Sequence, residues 1–245
     1  MLKSLAALLF PAAAYHSAYA QNDLKLWYNK PSEAWTDALP LGNGRLGAMV
    51  YGIPASDTIQ INEDTFWSGS PYQNTNPQAK KNLKKIQSYI NEENYVEAQK
   101  LSLESIIGNR ETTSHGQVYQ SIGNLILNFP DHENFSQFHR ELDLNTAIAT
   151  TRYTVKGIEF TREAFTSLTD QLIIIRVTAN KKGKVSFNTS FTGPLKKNMV
   201  TSQVNTSPQN KNNLFISGKC TKEKEENIPN LLHYDGQIKV VAEGG

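Results

Sequence analysis

Leu39 to Gly69 reads LPLGNGRLGAMVYGIPASDTIQINEDTFWSG, and the reading of this stretch decides the fold. Its glycines Gly42, Gly44 and Gly47 are spaced G-x-G-x-x-G, and the acidic pair Glu63–Asp64 follows downstream. A dinucleotide-binding fingerprint has that spacing, with an acidic residue about 20 positions further on. It also needs a strand before the glycines and a helix opening within them, so that the helix N-terminus meets the pyrophosphate. Pro40 interrupts the approach, and Ala48 to Tyr51 leads into the turn Gly52-Ile53-Pro54. No further β-α-β alternation follows, so the nucleotide reading is rejected. Arg45 to Tyr51 and Thr58 to Asn62 read instead as two strands joined by a hairpin loop over Gly52 to Asp57. The glycines then serve tight turns and close backbone packing.

Outward from this hairpin the chain is a ladder of strands with one helical insertion. Leu24 to Tyr28 is a short apolar strand ahead of the turn-prone Asn29-Lys30-Pro31-Ser32. From Asn76 to Ile107 the period changes. Asn76 is placed to N-cap, with Pro77 at the first helical position, and Leu83, Ile86 and Ile90 recur at helical spacing. Asn94 with Glu97 has the form of a capping box, opening a second helix with Ala98, Leu101 and Ser105 on one face. From Val118 onward strand and turn signals alternate. Tyr119 to Phe129 contains an apolar run, and Thr150 to Val155 and Ile158 to Phe165 flank a Lys156-Gly157 turn. Gln171 to Thr178, Lys184 to Phe191, Leu214 to Ser217 and Gln237 to Val241 are further strands, and polar Thr192 to Asn213 reads as a long surface loop. This pattern points to a mainly β fold, an antiparallel β-sandwich or barrel with a helical hairpin insertion.

The first 20 residues, MLKSLAALLFPAAAYHSAYA, carry one lysine, an apolar run from Leu5 to Ala14 and the small-residue site Ala18-Tyr19-Ala20. That is the layout of a secretory signal peptide, so residues 1–20 are expected to be removed and residues 21–245 to form the mature domain. No later window approaches the roughly 18 apolar residues of a membrane span. The balance of 25 Lys+Arg against 23 Asp+Glu gives no argument for nucleic acid or for an anionic membrane surface. A single cysteine, Cys220, excludes an intrachain disulfide, and stability must come from a core. An exported domain without disulfides fits a bacterial periplasm or secreted bacterial protein best.

Glu63 and Asp64 do not form a catalytic dyad. Glycoside hydrolysis takes two carboxyl groups about 5–10 Å apart across the scissile bond, and neighbours in a strand point to opposite faces. Asn62 and Asp64 read as side-chain turns ending a strand, while a ligand contact by one acid stays open.

LWYNKPSEAWTDALPLGNGRLGAMVYG, IQINEDTFWSGSP and Val118 to Leu125 (VYQSIGNL) together resemble the N-terminal domain of family 95 glycoside hydrolases, the α-L-fucosidase family. The resemblance implies a super-sandwich of the galactose-mutarotase type. It implies an enzyme that removes α-linked L-fucose from glycans with inversion and uses no cofactor and no metal. It places the catalytic groups in an (α/α)₆ barrel after the sandwich, so no catalytic residue is carried onto this chain. The chain then stops before that barrel and before the last strands of the sandwich, and its partners are the barrel and a fucosylated glycan. Trp67 and Phe66 are candidates to meet sugar or barrel, because aromatic faces stack on pyranose rings; a core role for Trp67 is the alternative. Asn62, Glu63 and Asp64 form the matching polar lip, Arg45 is expected to pair with one of these acids, and His115 is placed to line the same cleft. His132, His139 and His233 show no metal-ligand spacing. The competing class is a non-catalytic carbohydrate-binding or structural sandwich.

Expression with the native leader in a bacterium should yield a mature protein beginning at Gln21 by intact mass. A periplasmic product that retains Met1 to Ala20 would refute the leader assignment.

Overall fold

The computed structural model describes residues 24–106, 108, 117–193, 202–210, 212–220, 224–225 and 228–243. The leader assignment and His115 lie outside these residues. The chain opens with β1 (Lys25–Tyr28), a single 3₁₀ turn (Trp35–Asp37), then β2 (Leu39–Gly42), β3 (Leu46–Val50) and β4 (Ser56–Glu63). Helices α1 (Ala79–Asn91) and α2 (Tyr95–Ser105) form the insertion. β5 (Gly123–Asn128), β6 (Ser136–Asp143), β7 (Ile148–Val155), β8 (Ile158–Thr166) and β9 (Ile173–Ala179) follow. The series ends with β10 (Asn188–Thr192), β11 (Ser202–Asn210), β12 (Asn213–Cys220), the short pair β13 (Lys224–Glu225) and β14 (Ile228–Pro229), and β15 (His233–Lys239).

Two five-stranded antiparallel sheets, in the orders β1-β6-β7-β8-β9 and β10-β5-β4-β3-β2, carry the fold. Their inner faces meet in one core. Leu39, Leu41, Ala48, Val50, Ile59, Leu125 and Leu127 come from one sheet, and Leu142, Ala149 and Ala164 from the other. A three-stranded sheet, β11-β12-β15, adds Ile216 to the same cluster, with Leu214, Tyr234 and Ile238 packed against it. The sandwich and its two-helix insertion are therefore as expected.

Several details differ from the reading of the sequence. Pro40 does not break the approach to the glycines: it lies inside β2, opposite Met49, on the edge of its sheet. An edge strand tolerates a residue with no N–H to donate. Thr192 to Asn213 is not a continuous loop, because β11 pairs with β12 along most of its length. β10 begins at Asn188, four residues later than expected, and β5 begins at Gly123. β6, SQFHRELD, had no strand signal, because buried Arg140 occupies an inward position and breaks the apolar alternation. Helix α1 starts at Ala79 with Gln78 at its N-cap, while the Asn76 side chain accepts from Gln78 N at 2.9 Å, outside the helix. Asn94 does cap α2 by position, but its side chain makes no capping bond, so the capping box does not form. Lys156 and Gly157 both have positive φ (49° and 72°), the backbone that a two-residue hairpin turn demands.

Buried arginines join the sheets. Arg162, on β8, donates from Nη1 to Asp57 Oδ2 at 3.1 Å and to the carbonyl of Ile53 at 2.8 Å; Nη2 bonds the carbonyl of Pro54 and the hydroxyl of Tyr153. Its guanidinium carbon sits 3.8 Å from the Phe129 ring centre. Asp57 Oδ1 accepts from Gly52 N and Ile53 N at 2.8 and 3.0 Å, closing the β3–β4 loop. The Tyr153 hydroxyl accepts from Arg162 and shares a hydrogen bond with His132 Nδ1, 2.9 Å away. Burial, helped by the Arg162 charge, pushes the His132 pKa down.

Arg162→Met strands the Asp57 carboxylate in the core and should lower stability by about 3–5 kcal/mol. The double variant Asp57→Leu/Arg162→Met removes the stranded charge but leaves the N–H groups of Gly52 and Ile53 and the carbonyls of Ile53 and Pro54 without these partners. It should therefore recover only part of that loss in urea denaturation; a double variant as stable as the parent would contradict the staple. The unfolded chain protonates His132 near its ordinary pKa of about 6.5, whereas the fold resists. Stability should therefore fall as pH drops below that value. His132→Gln should flatten this limb; an unchanged pH profile would refute the linkage.

Candidate functional site

The glycines of the opening stretch sit in the β2–β3 turn. Gly42 pairs with Gly47 across it, and Asn43 N donates to Leu46 O at 3.1 Å. The Asn43 side-chain oxygen accepts from Arg45 N and Leu46 N at 3.0 and 2.7 Å, a side-chain turn. Gly44 has φ +88°, a conformation that costs any other L-residue strain. No helix follows, and the phosphate reading has no structural support.

Beside this turn, β4 ends at Glu63. Arg45 Nε donates to Glu63 Oε1 at 3.0 Å, the pairing expected from the sequence. Thr65 donates to Glu63 Oε2 from its N–H at 2.9 Å and from its hydroxyl at 2.7 Å. Phe66 N also bonds the Glu63 carbonyl at 3.2 Å. The side chain that builds the strand-end turn is thus Glu63, in place of Asn62 or Asp64. Partial burial would raise its pKa, but the bonds from Thr65 and Arg45 outweigh burial and hold it below the ordinary carboxylate value. A general acid at neutral pH needs the opposite shift. Glu63 is therefore a turn-former that is ionised at neutral pH.

The aromatic residues separate. Phe66 is 4% exposed and packs edge-to-face on Tyr234 at 5.1 Å, so it belongs to the core and not to the lip. Trp67 is 42% exposed, its indole N–H donates to the Asp64 carbonyl at 2.8 Å, and its ring meets Tyr119 edge-to-face at 5.1 Å. Trp67 and Tyr119 also form a backbone bridge, and the Tyr119 hydroxyl donates to the Glu63 carbonyl at 3.1 Å. Burial raises the Tyr119 pKa, and the nearby Glu63 and Asp64 charges add to that. Asn62 lies on the outward face of β4; its Oδ1 is buried with no partner among the described residues. The structure thus brings together Arg45, Glu63, Trp67 and Tyr119, with the Asp64 carbonyl beneath the indole, while Asn62 faces away from Glu63 on β4. Tyr119 was missed because Tyr119 to Phe129 reads as one strand, whereas the strand proper starts only at Gly123.

Below the lip, Ser68 Oγ donates to Gln117 Oε1 at 3.1 Å and accepts from Val118 N at 2.8 Å. Gly69 (φ +86°) donates its N–H to the Asn230 side chain and accepts from Leu231 N at 3.2 Å. A Cβ on Gly69 would lie 2.1 Å from Gln117 Oε1. Residues 68–69 thus clamp the 117–118 and 230–231 segments together. Among the described residues, no three His, Cys, Asp or Glu side chains converge to hold a metal ion, and no helix is long and apolar enough to cross a membrane.

Gly44→Ala has open space around it and should cost only the left-handed backbone strain, about 1–2 kcal/mol. Gly69→Ala adds a displacement of the Gln117 side-chain end, which breaks its bond with Ser68, and should cost about 1 kcal/mol more. Thermal denaturation showing both substitutions neutral would refute this account of the glycines.

Comparison with known proteins places these features in context. A sequence model described as "Glycosyl hydrolase family 65, N-terminal domain" matches residues 26–245. Alpha-L-fucosidase 2 of Arabidopsis thaliana is 38% identical over 204 residues, which cover 82% of this chain and 23% of that protein. Probable alpha-fucosidase A of Aspergillus niger is 29% identical over 187 residues, and its Aspergillus oryzae namesake 27% over 164. The chain spans less than a quarter of the length of each of these relatives. With nearly all of its described sandwich inside the matched region, this chain belongs to the family of glycoside hydrolase N-terminal domains.

Proposed function

We propose that this chain is the N-terminal sandwich of an exported bacterial α-L-fucosidase that removes terminal α-linked L-fucose from glycans, with inversion. The observation that carries this reading is the 38% identity to a named α-L-fucosidase across 82% of the chain, a span long enough to include the turn and lip described above. In this reading the chemistry belongs to a further module, and the Trp67–Tyr119 pair with Arg45 and Asp64 meets that module or the bound glycan.

The state of Glu63 supports the division of labour. Both of its carboxylate oxygens already accept hydrogen bonds from Arg45 and Thr65, and its pKa is lowered. A carboxyl group held ionised in this way does not donate a proton to a leaving oxygen at neutral pH. An exposed tryptophan held rigidly by its own N–H bond is suited to stacking, because little conformational freedom is lost on contact.

Purified chain should release no aryl alcohol from an aryl α-L-fucoside, whereas a polypeptide extended through a following helical barrel should release it. Trp67→Ala in the extended protein should then lower kcat/KM at least several-fold, with Arg45→Ala as a milder companion. Turnover by the chain alone would overturn the division of labour, and an extended protein active only on other glycosides would overturn the substrate assignment.

A further inference from the structure

The tryptophans are not equivalent. The indole N–H groups of Trp35 and Trp67 bond protein oxygens, Gln60 Oε1 at 2.7 Å and the Asp64 carbonyl at 2.8 Å. Trp27 has no such partner among the described residues, and it is 63% exposed, the most of the three. It sits on β1, an edge strand, opposite Glu141 of β6. Its neighbour Tyr28 turns the other way, with its ring 4.1 Å from the buried Arg140 guanidinium carbon. Strand alternation therefore puts Trp27 on the outer face of its sheet, with its cross-strand partner Glu141 beside it.

Around Trp27 the polar groups are organised. The His139 ring lies near-parallel to the indole, with centres 6.1 Å apart and planes at 23°. His139 Nε2 lies 3.1 Å from one Glu141 oxygen, and Lys25 Nζ and Arg152 Nη1 lie 3.4 and 3.9 Å from the other. Lys25 also reaches Asp143 at 3.8 Å. Hydrogen bonding from His139, against the effect of partial burial and helped by Lys25, holds Glu141 below the ordinary carboxylate pKa. Lys25, Trp27, His139 and Glu141 line an open cleft of about 390 Å³.

We infer that this cleft on the outer face of the β1–β6 edge binds a neutral pyranose of a glycan, with the sugar ring on Trp27 and its hydroxyls on Glu141, His139 and Lys25. Two lysine and arginine charges meet two carboxylates here, so the patch has no net charge with which to attract an ionic ligand. A polyhydroxylated ring needs the mixture present: an exposed aromatic face, an unspent indole donor, and a carboxylate and cation fixed by each other. Fixed groups lose little freedom on binding, and the open cleft suits a ring better than an extended apolar chain. This surface lies on a different sheet from the Trp67 lip, so the inference stands or falls independently of the proposed activity.

The test follows the tryptophan indole N–H signals of the full ¹⁵N-labelled chain during titration with fucosyllactose, with lactose and with sodium phosphate. The expected result is a saturable shift of the Trp27 signal with at least one of the two saccharides and none with phosphate. The Trp35 signal should stay in place, and Trp27→Ala should abolish saccharide binding measured by calorimetry while leaving the melting temperature within a few degrees of the parent. Should that variant fail to fold, Glu141→Gln keeps the ring and should weaken binding about tenfold, the loss expected for one charged hydrogen bond. Absence of any saturable Trp27 shift with both saccharides would overturn the inference, as would binding that survives in the variants or a response to phosphate alone.

Discussion

The ion pair between Asp57 and Arg162 is the constraint on which the sandwich depends. It crosses from the first residues of β4 to the middle of β8, and both side chains are almost wholly removed from water. Burying two charges is costly, and hydrogen bonds to their polar atoms offset that cost. Of the polar atoms of these two side chains, Arg162 Nε alone is buried without a partner among the described residues. Here the carboxylate uses one oxygen for the guanidinium and the other for the N–H groups of Gly52 and Ile53, while the guanidinium takes the carbonyls of Ile53 and Pro54. An irregular loop packed against a sheet has backbone groups that no ladder satisfies, and the pair satisfies them. Arg140 does the same two strands away, on β6, donating to the carbonyls of Lys30 and Asp37 at 2.8 and 2.7 Å. Two inward-pointing arginines on one sheet thereby fix the loops that lead into the other.

That arrangement explains what the sequence made legible and what it hid. The hairpin of β3 and β4, the Lys156-Gly157 turn and the two helices could be read, because each rests on local periodicity and turn chemistry. β6 could not, since its inward Arg140 looks like a surface residue until the loop carbonyls it serves are known. β2 was hidden by Pro40, whose tolerance depends on an edge position that only the sheet order reveals. β11 was hidden by composition: its Asn, Ser, Thr and Gln residues form a strand because β12 pairs with them over a long register. In each case tertiary context overrode local propensity.

The lip shows the same division. The Arg45–Glu63 pairing could be anticipated from charge and proximity to a turn. The burial of Phe66 and the arrival of Tyr119 could not, because both depend on how the 117–120 segment returns to the end of β4. The result is a surface whose acidic residue is spent on holding a turn and whose tryptophan is locked in place. In the proposed reading, the exposed pair of rings and the rigid backbone beneath them supply contact and orientation.

The most direct test of that account is the ionisation of Glu63. A ¹³C NMR titration of its side-chain carboxyl, assigned with Glu63→Gln, should give a midpoint below that of an ordinary glutamate, since Thr65 and Arg45 stabilise the charged form. A midpoint raised above the ordinary value would contradict the reading of Glu63 as a carboxylate held ionised by the turn it builds.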